Sequence, residues 1–434
     1  MKRVLTVSMV TAVSEETDAA QVMSRDISRE RRGNWIVGPP RWMGIVLVSV
    51  ALLVPCFWHL HIGAGDLRSH VYNAWLVQLI ERGQAPGLWI AHVWNNVLFD
   101  YLLSALGRYF SLPVAGRIGA GIAVLVFFWG SFAFVSAVAG HSAWSIAPLL
   151  AAVSYGWTFQ QGLLNYFLAL GLAFAGLALF LRRSVWRWAA LAIFVPAAFL
   201  AHPLGAAWFL GAAVYLGIAN VTPRRFHAVL VCTAIALLFV GRLYLHSHYR
   251  VEGPLTSALF NLMFYNGLDQ LVFTKRYVLP VAILAAFIAI VIAGEIIQSK
   301  SVQRLLAETA LPLGLCVVVQ AGILLLPNSI WLPQYPAAIS ALTTRGTSVS
   351  AVLLCALLGA IRPRKWHYPV LTGISAIFFL LLYQDTGALS RFEAQAERLV
   401  RSIPAGQRVI ATIGGPSDYR FSLNHLADVS CVGH

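Results

Sequence analysis

Asp66, His70 and Asn73 follow one another at spacings of four and three, in a stretch that opens Gly65-Asp66-Leu67-Arg68-Ser69-His70. On a helix those spacings put the three side chains in one patch. A carboxylate beside an imidazole can take a proton from a hydroxyl group or hold a cation. The plainer alternative is that Asp66 caps a helix and that His70 and Asn73 are polar residues at headgroup depth. The pattern alone leaves both open.

The element that must carry these residues reads as a helix from Leu67 to Arg82, because Leu67, Val71, Trp75 and Leu79 recur every four positions and Gly83 ends the run. Its surroundings are apolar. Of 434 residues 59% are hydrophobic and 11% charged, against roughly 25% charged in an ordinary soluble domain. The 31 basic and 17 acidic residues leave a formal charge of +14. In a soluble protein that excess would point to nucleic acid. Here the basic residues cluster between apolar runs, where they fix membrane orientation and meet anionic headgroups, so nucleic acid is set aside as a partner.

The predicted class is therefore an all-α polytopic membrane protein with about eleven transmembrane helices. Runs suited to crossing lie near 43–60, 115–138, 144–158, 163–181, 186–200, 204–219, 226–244, 277–297, 309–326, 346–361 and 367–383. Residues 1–42 carry Lys2, Arg3, Arg25, Arg29, Arg31, Arg32 and Arg41 and read as a cytoplasmic basic tail. The Val4–Val13 stretch lacks a cleavage pattern, so 43–60 acts as an uncleaved anchor. Val97 to Phe110 is short and holds Asp100 and Arg108. If it lies at the interface or re-enters, then Arg182, Arg183, Arg187, Arg224, Arg225, Lys300, Arg304, Arg362, Arg364 and Lys365 share the side of the tail. Every cluster then obeys the positive-inside rule. This places the chain in a cell inner (cytoplasmic) membrane, N-terminus in the cytoplasm and C-terminus outside. The domain plan is 1–42 tail, 43–383 transmembrane domain with a first outer loop over 61–113, and 384–434 outer soluble segment.

The same count brings the unusual polar stretches to the outer face: Asp66 to His70, Gln160-Gln161-Gly162-Leu163-Leu164-Asn165-Tyr166, His202-Pro203, and the loops 245–276 and 327–345. A basic tail, a first span, an outer loop opening on an acidic residue, an interfacial helix and many further spans together resemble the GT-C superfamily of integral-membrane glycosyltransferases. Within it the chain is most similar to the bacterial protein-mannosyltransferase-like and RgtABCD-like group. The residues that carry the resemblance are Asp66 through Trp75, the turn with Gly162, Asn165 and Tyr166, His202-Pro203-Leu204 and an outward C-terminal segment.

The resemblance implies transfer of a sugar from a polyprenyl-phosphate donor to an acceptor on the outer face, with inversion and with Asp66 as base or metal-positioning group. Many members of the superfamily show two acidic residues near this motif, whereas Leu67 and Arg68 follow here. Either His70 or another carboxylate, such as Asp100, fills the second role. A divalent metal is thus left open as a cofactor. Besides the sugar-bearing lipid, membrane lipids are the expected partners. A lipid phosphate requires cations at headgroup depth, and Lys275, Arg276 and Arg345 stand just before outer ends of spans. Ordinary snorkelling is the alternative for each. Asn165, Tyr166 and His202 occupy outer turns, as substrate contacts or as packing residues. Tyr265, Asn266, Trp331 and Tyr335 offer sugar-stacking surfaces or an aromatic belt.

From Gln384 onward the chain becomes charged. Ala388 to Ile403 reads as a helix, 404–406 as a turn and Arg408 to Ile413 as a strand, the start of a small α/β domain. A lone strand has no stability of its own, so the ending at Cys431-Val432-Gly433-His434 reads as truncated. Cys56, Cys232, Cys316 and Cys355 fall in apolar runs and behave as small hydrophobes. A transporter or flippase of lipid-linked glycan is the second functional class, and a non-catalytic GT-C relative the third. Internal repeats and mid-span ionisable residues would favour the transporter, and neither is evident.

Overall fold

The computed structural model describes residues 41–182, 185–253, 266–299, 302–334, 338–361, 364–404, 406–407, 423 and 425–433. Residues 1–40 of the basic tail, Tyr265, Tyr335 and the strand expected over 408–413 lie outside these residues, while Arg41 and Trp42, expected in the tail, open a helix. By its contacts the chain divides into Met1–Ala51 and Leu52–His434. The described part of the first unit is the opening of helix α1 (Arg41–Phe57). All other elements belong to the second.

The second unit is helical. After α1 come α2 (Leu67–Glu81), α3 (Leu98–Leu106) and α4 (Leu112–Ala139). Nine residues give α3 a length of only about 14 Å, too short to cross a bilayer. It lies against α2, where Gln78 Nε2 donates to the Gly107 carbonyl at 3.0 Å. Then follow α5 (Ala147–Ser154), the single turn α6 (Trp157–Gln160), α7 (Leu164–Phe180), α8 (Trp186–Ala201) and α9 (Pro203–Val221). His202 divides the last two for a local reason. The residue before a proline is pushed to extended backbone, and His202 has φ −165° and ψ 127°. Pro203 then begins α9, where its missing N–H costs nothing.

Small residues let α4 and α7 meet backbone to backbone. A methyl group on Gly171 would lie 2.7 Å from the Phe127 nitrogen, and one on Gly130 would run into the Gly171 carbonyl. Close approach through small residues is how apolar helices associate where burial from lipid offers little driving force. Phe127 stacks on Phe167 at 4.1 Å and Phe134 meets Phe174 at 5.3 Å, so α4 and α7 run parallel. The chain between them must therefore return from one end of the bundle to the other. It does so in broken form, differing from the single helix expected over 144–158: a 3-10 turn (Trp144–Ile146), then α5, then α6.

The break at Tyr155 and Gly156 is tolerated because protein groups serve the freed backbone. Gln160 Nε2 donates to the Tyr155 carbonyl at 3.3 Å, and Gln270 Oε1 accepts from the Thr158 N–H at 3.1 Å. The Tyr155 hydroxyl donates to the Leu52 carbonyl and sits 3.3 Å from the Cys56 sulfur.

The remaining helices are α10 (His227–His248), α11 (Val278–Ser299), α12 (Val302–Leu325), α13 (Leu342–Ala360) and α14 (His367–Arg401). Strands β1 (Arg250–Glu252) and β2 (Ser329–Trp331) pair antiparallel, a feature the sequence did not announce. Arg364 bonds Glu295 at 2.8 Å near one end of α11, while Arg276 bonds Asp385 near the other, so α11 and α14 run antiparallel. Residues 367–383 and the separate helix expected from Ala388 form one helix of 35 residues; no proline stands between Leu382 and Ser402, and Gly387 packs against the His59 ring.

Among the described residues six helices are long and apolar enough to cross a membrane: Leu112–Ala139, Pro203–Val221, Arg224–His248, Lys275–Gln298, Leu342–Ala360 and His367–Arg401. Trp42–Phe57, Leu164–Phe180, Arg187–Ala201 and Thr309–Leu325 are apolar but shorter. Such helices fit a membrane protein.

Candidate functional site

Asp66 is fixed by its backbone. Its N–H donates to the Gln161 carbonyl at 2.9 Å, and the Gly65 N–H donates to the Gln160 carbonyl at 3.0 Å. Gly162 makes this joint possible. It has φ +78°, a region that favours glycine, and a side chain there would strike the Asp66 backbone and come within 2.7 Å of the Leu67 nitrogen. The polar turn 160–166 is thus the seat of the Asp66 turn. At the head of α2, Asp66 has φ −69° and ψ −12°, and its side chain makes no capping hydrogen bond. Its carboxylate is therefore not spent on the helix.

His70, one turn further along α2, faces a second carboxylate. Its Nδ1 lies 2.6 Å from Asp100 Oδ1. Asn165 Nδ2 donates to Asp100 Oδ2 at 3.0 Å and to the Asn96 carbonyl at 2.9 Å, while Asn165 Oδ1 accepts from the Phe99 N–H at 2.8 Å. Three elements, α2, α3 and α7, are tied by this chain. An Nδ1–H directed at Asp100 leaves Nε2 with its lone pair, the form a base requires. Asn73 is exposed on α2.

The third group gathers around Arg345 at the head of α13. Its Nη1 is 2.8 Å from His202 Nε2, its guanidinium carbon lies 5.9 Å from the centre of the Tyr166 ring, and its carbonyl accepts from the Tyr166 hydroxyl at 3.0 Å. Its Nε is buried without a hydrogen-bond partner. Among the described residues no carboxylate pairs with it, although the Asp66 charge reaches it through space. His202 Nδ1 accepts from the Leu204 N–H at 3.1 Å and so caps α9. Burial, and then the Arg345 charge, push the imidazole pKa down to about 3. A neutral imidazole has one lone pair, so His202 cannot serve both Leu204 and Arg345. The guanidinium is left with hydrogen-bonding capacity and positive charge to spare.

The other two cations are differently disposed. Arg276 bonds Asp385, and also Gln384 Oε1 at 3.1 Å, while the Tyr277 hydroxyl donates to Asp385 at 2.9 Å. Lys275 is exposed. Trp331 carries Arg250 over its ring at 4.6 Å, so that face is covered. Asn266 Oδ1 accepts from the Leu268 N–H at 3.0 Å, which forms a local turn.

Sequence reasoning missed Arg68, Glu393, His61, Glu397, His425 and Asp428 as participants. Arg68 is buried and pairs with Glu393 of α14, beside which His61 stands 3.7 Å from Glu393 and 3.6 Å from Glu397. The signal for Arg68 was present but misread, since a basic residue inside the motif looked like a departure from it. His425 and Asp428 had no signal at all, because their place beside Asp66 depends on the chain's return. His425 Nε2 lies 3.9 Å from Asp66 Oδ1.

Among the described residues no group of three His, Cys, Asp or Glu side chains is placed to hold a metal ion, and the Arg345 guanidinium is a cation that acts on Asp66. The fold and the site define a helical protein of apolar helices with polar side chains collected at one end of its bundle. No protein-family model, curated protein or solved structure matches the chain.

Proposed function

We propose that this chain is a membrane glycosyltransferase with about eleven crossings and a GT-C-like plan, moving a sugar from a polyprenyl-phosphate donor to an acceptor hydroxyl on the outer face. The observation that carries the reading is the pairing of functions at one end of the bundle: a carboxylate, Asp66, not used as a cap, and a guanidinium, Arg345, not neutralised by a carboxylate. Phosphoryl oxygens are the natural ligand of such a guanidinium. Asp66 is then within electrostatic range of the bound group and free to take the acceptor proton. His70, held by Asp100, orients the acceptor. The parallel course of α4 and α7 favours counting the broken 144–160 segment as a crossing, and the short Leu98–Leu106 helix favours an interfacial first loop. With that count the basic clusters lie on the cytoplasmic side and the site lies outside.

The test is incubation of the purified chain with a panel of polyprenyl-phosphate-linked hexoses, scored as release of polyprenyl phosphate. Turnover of a panel member that falls by about 10² to 10⁴ in Asp66→Asn, the loss typical of a missing general base, supports the reading. Absence of turnover across the panel removes it, and full turnover in Asp66→Asn removes Asp66 as its base.

A further inference from the structure

His425 belongs to a short turn near the end of the chain, where the Asp428 N–H donates to the His425 carbonyl at 3.1 Å. Leu426 and Ser430 are buried and anchor this turn. It lies against α2: burial raises the Tyr72 phenol pKa, and the neighbouring Cys431 and Asp428 raise it further. Within the turn, His425 Nδ1 is 2.9 Å from Asp428 Oδ2. Asp428 can only accept in its ionised form, so Nδ1 carries the proton and Nε2 presents a lone pair. Nε2 lies 3.9 Å from Asp66 Oδ1, a carboxylate that makes no capping hydrogen bond. His425 adopts φ +60°, uncommon for a residue with a side chain. The turn thus delivers to Asp66 the imidazole that the sequence assigned to His70, which is engaged with Asp100 instead.

We propose that His425, oriented by Asp428, is the proton relay for Asp66. The proposal rests on Asp66 as the base of the transfer reaction. As the acceptor oxygen bonds to the sugar's anomeric carbon, the bond from that carbon to the phosphate oxygen breaks and its electron pair leaves with the lipid phosphate. The acceptor proton passes to the Asp66 carboxylate and from there to His425 Nε2, closing the present gap or crossing one water. The imidazolium is stabilised by the Asp428 carboxylate until it loses the proton to solvent, and both Asp66 and His425 stay about one-third or more exposed, at 35% and 45%. Asp66 is restored as a carboxylate for the next cycle. Besides Asp66 and Asp428, the charged or titratable groups facing this pair are Tyr72 and Cys431 near Asp428, and Arg345 across from Asp66.

The experiment uses the full chain and the panel hexose that turns over, and follows kcat and KM across pH in wild type, His425→Gln, His425→Ala and Asp428→Asn. The expected result is a fall of about 10² in kcat for both His425 variants, with KM unchanged and with a pH profile of kcat that differs from that of the wild type. Added imidazole should restore part of the rate in His425→Ala, which a merely structural loss would not allow. Asp428→Asn should show a smaller fall, because Asn still accepts from Nδ1 but no longer stabilises the imidazolium. Wild-type kcat and an unaltered pH profile in His425→Gln overturn the relay while leaving Asp66 as base. A loss in His425→Ala that imidazole does not touch also overturns it. Full turnover in Asp66→Asn, by contrast, removes Asp66 as the base on which the relay rests, and absence of turnover across the whole panel removes the transferase reading itself.

Discussion

Arg68 and Arg345 occupy the same end of the bundle and have opposite fates. Arg68 enters the protein and finds Glu393, with His61 beside the pair. Arg345 is held by an imidazole that cannot fully serve it and by an aromatic ring, and no carboxylate pairs with it among the described residues. The first arrangement ties α2 to the C-terminal half of α14. The second leaves a guanidinium that no carboxylate pairs with among the described residues. Position near the end of a span does not separate a structural arginine from a binding one; the presence of a partner carboxylate does.

The largest expected effect breaks the first arrangement. Arg68→Met leaves Glu393 buried without its guanidinium, and removal of one member of a buried pair costs about 3–5 kcal/mol. A matching fall in the thermal midpoint in detergent would appear, and the double change Arg68→Met with Glu393→Met should recover much of it, since an apolar pair of similar volume is tolerated. A double variant no better than the single one would show that the pair's worth lies elsewhere.

A smaller effect sharpens the second arrangement through pH. The His202 pKa lies at about 3 in the folded protein, below its ordinary value of about 6.5. Between those values the unfolded chain binds the proton and the folded chain does not, so stability rises with pH across that window and is lost as pH falls from about 6.5 toward about 3. His202→Asn keeps an acceptor for the Leu204 N–H, since Asn caps well, and removes the titration. Its thermal midpoint should depend less on pH than that of the wild type, and an identical pH dependence would remove His202 as the cause.

Much of this was legible beforehand. The four-residue period of Leu67, Val71, Trp75 and Leu79, closed by Gly83, marks α2 within a residue or so of its observed end, although of the four only Leu67 and Val71 are buried, beside Arg68 and Ala74. His202-Pro203 marks a helix junction because proline acts locally. The turn with Gly162 was visible as a turn but not as the support of Asp66, since the contact joins residues far apart in the chain. The division of 144–158 was hidden because Gln270, which serves the freed backbone, comes from another loop. The physical difference between Arg276 and Arg345, the Asp385 carboxylate on α14, could not be read from the sequence, because it joins residues far apart in the chain. His425 was invisible for the same kind of reason.

The most direct measurement compares Arg345 with Arg276. Arg345→Ala and Arg276→Ala, with the wild-type chain, would be titrated with a polyprenyl-phosphate-linked hexose, with thermal midpoints recorded on the same preparations. If Arg345 holds the phosphate, its removal weakens donor binding by about 1.5–3 kcal/mol, the scale of a hydrogen bond to a charged group. Arg276→Ala should leave donor affinity unchanged and lower the thermal midpoint, because it strands Asp385. Unchanged affinity in Arg345→Ala, or a weakening in Arg276→Ala as large as that in Arg345→Ala, would contradict the account.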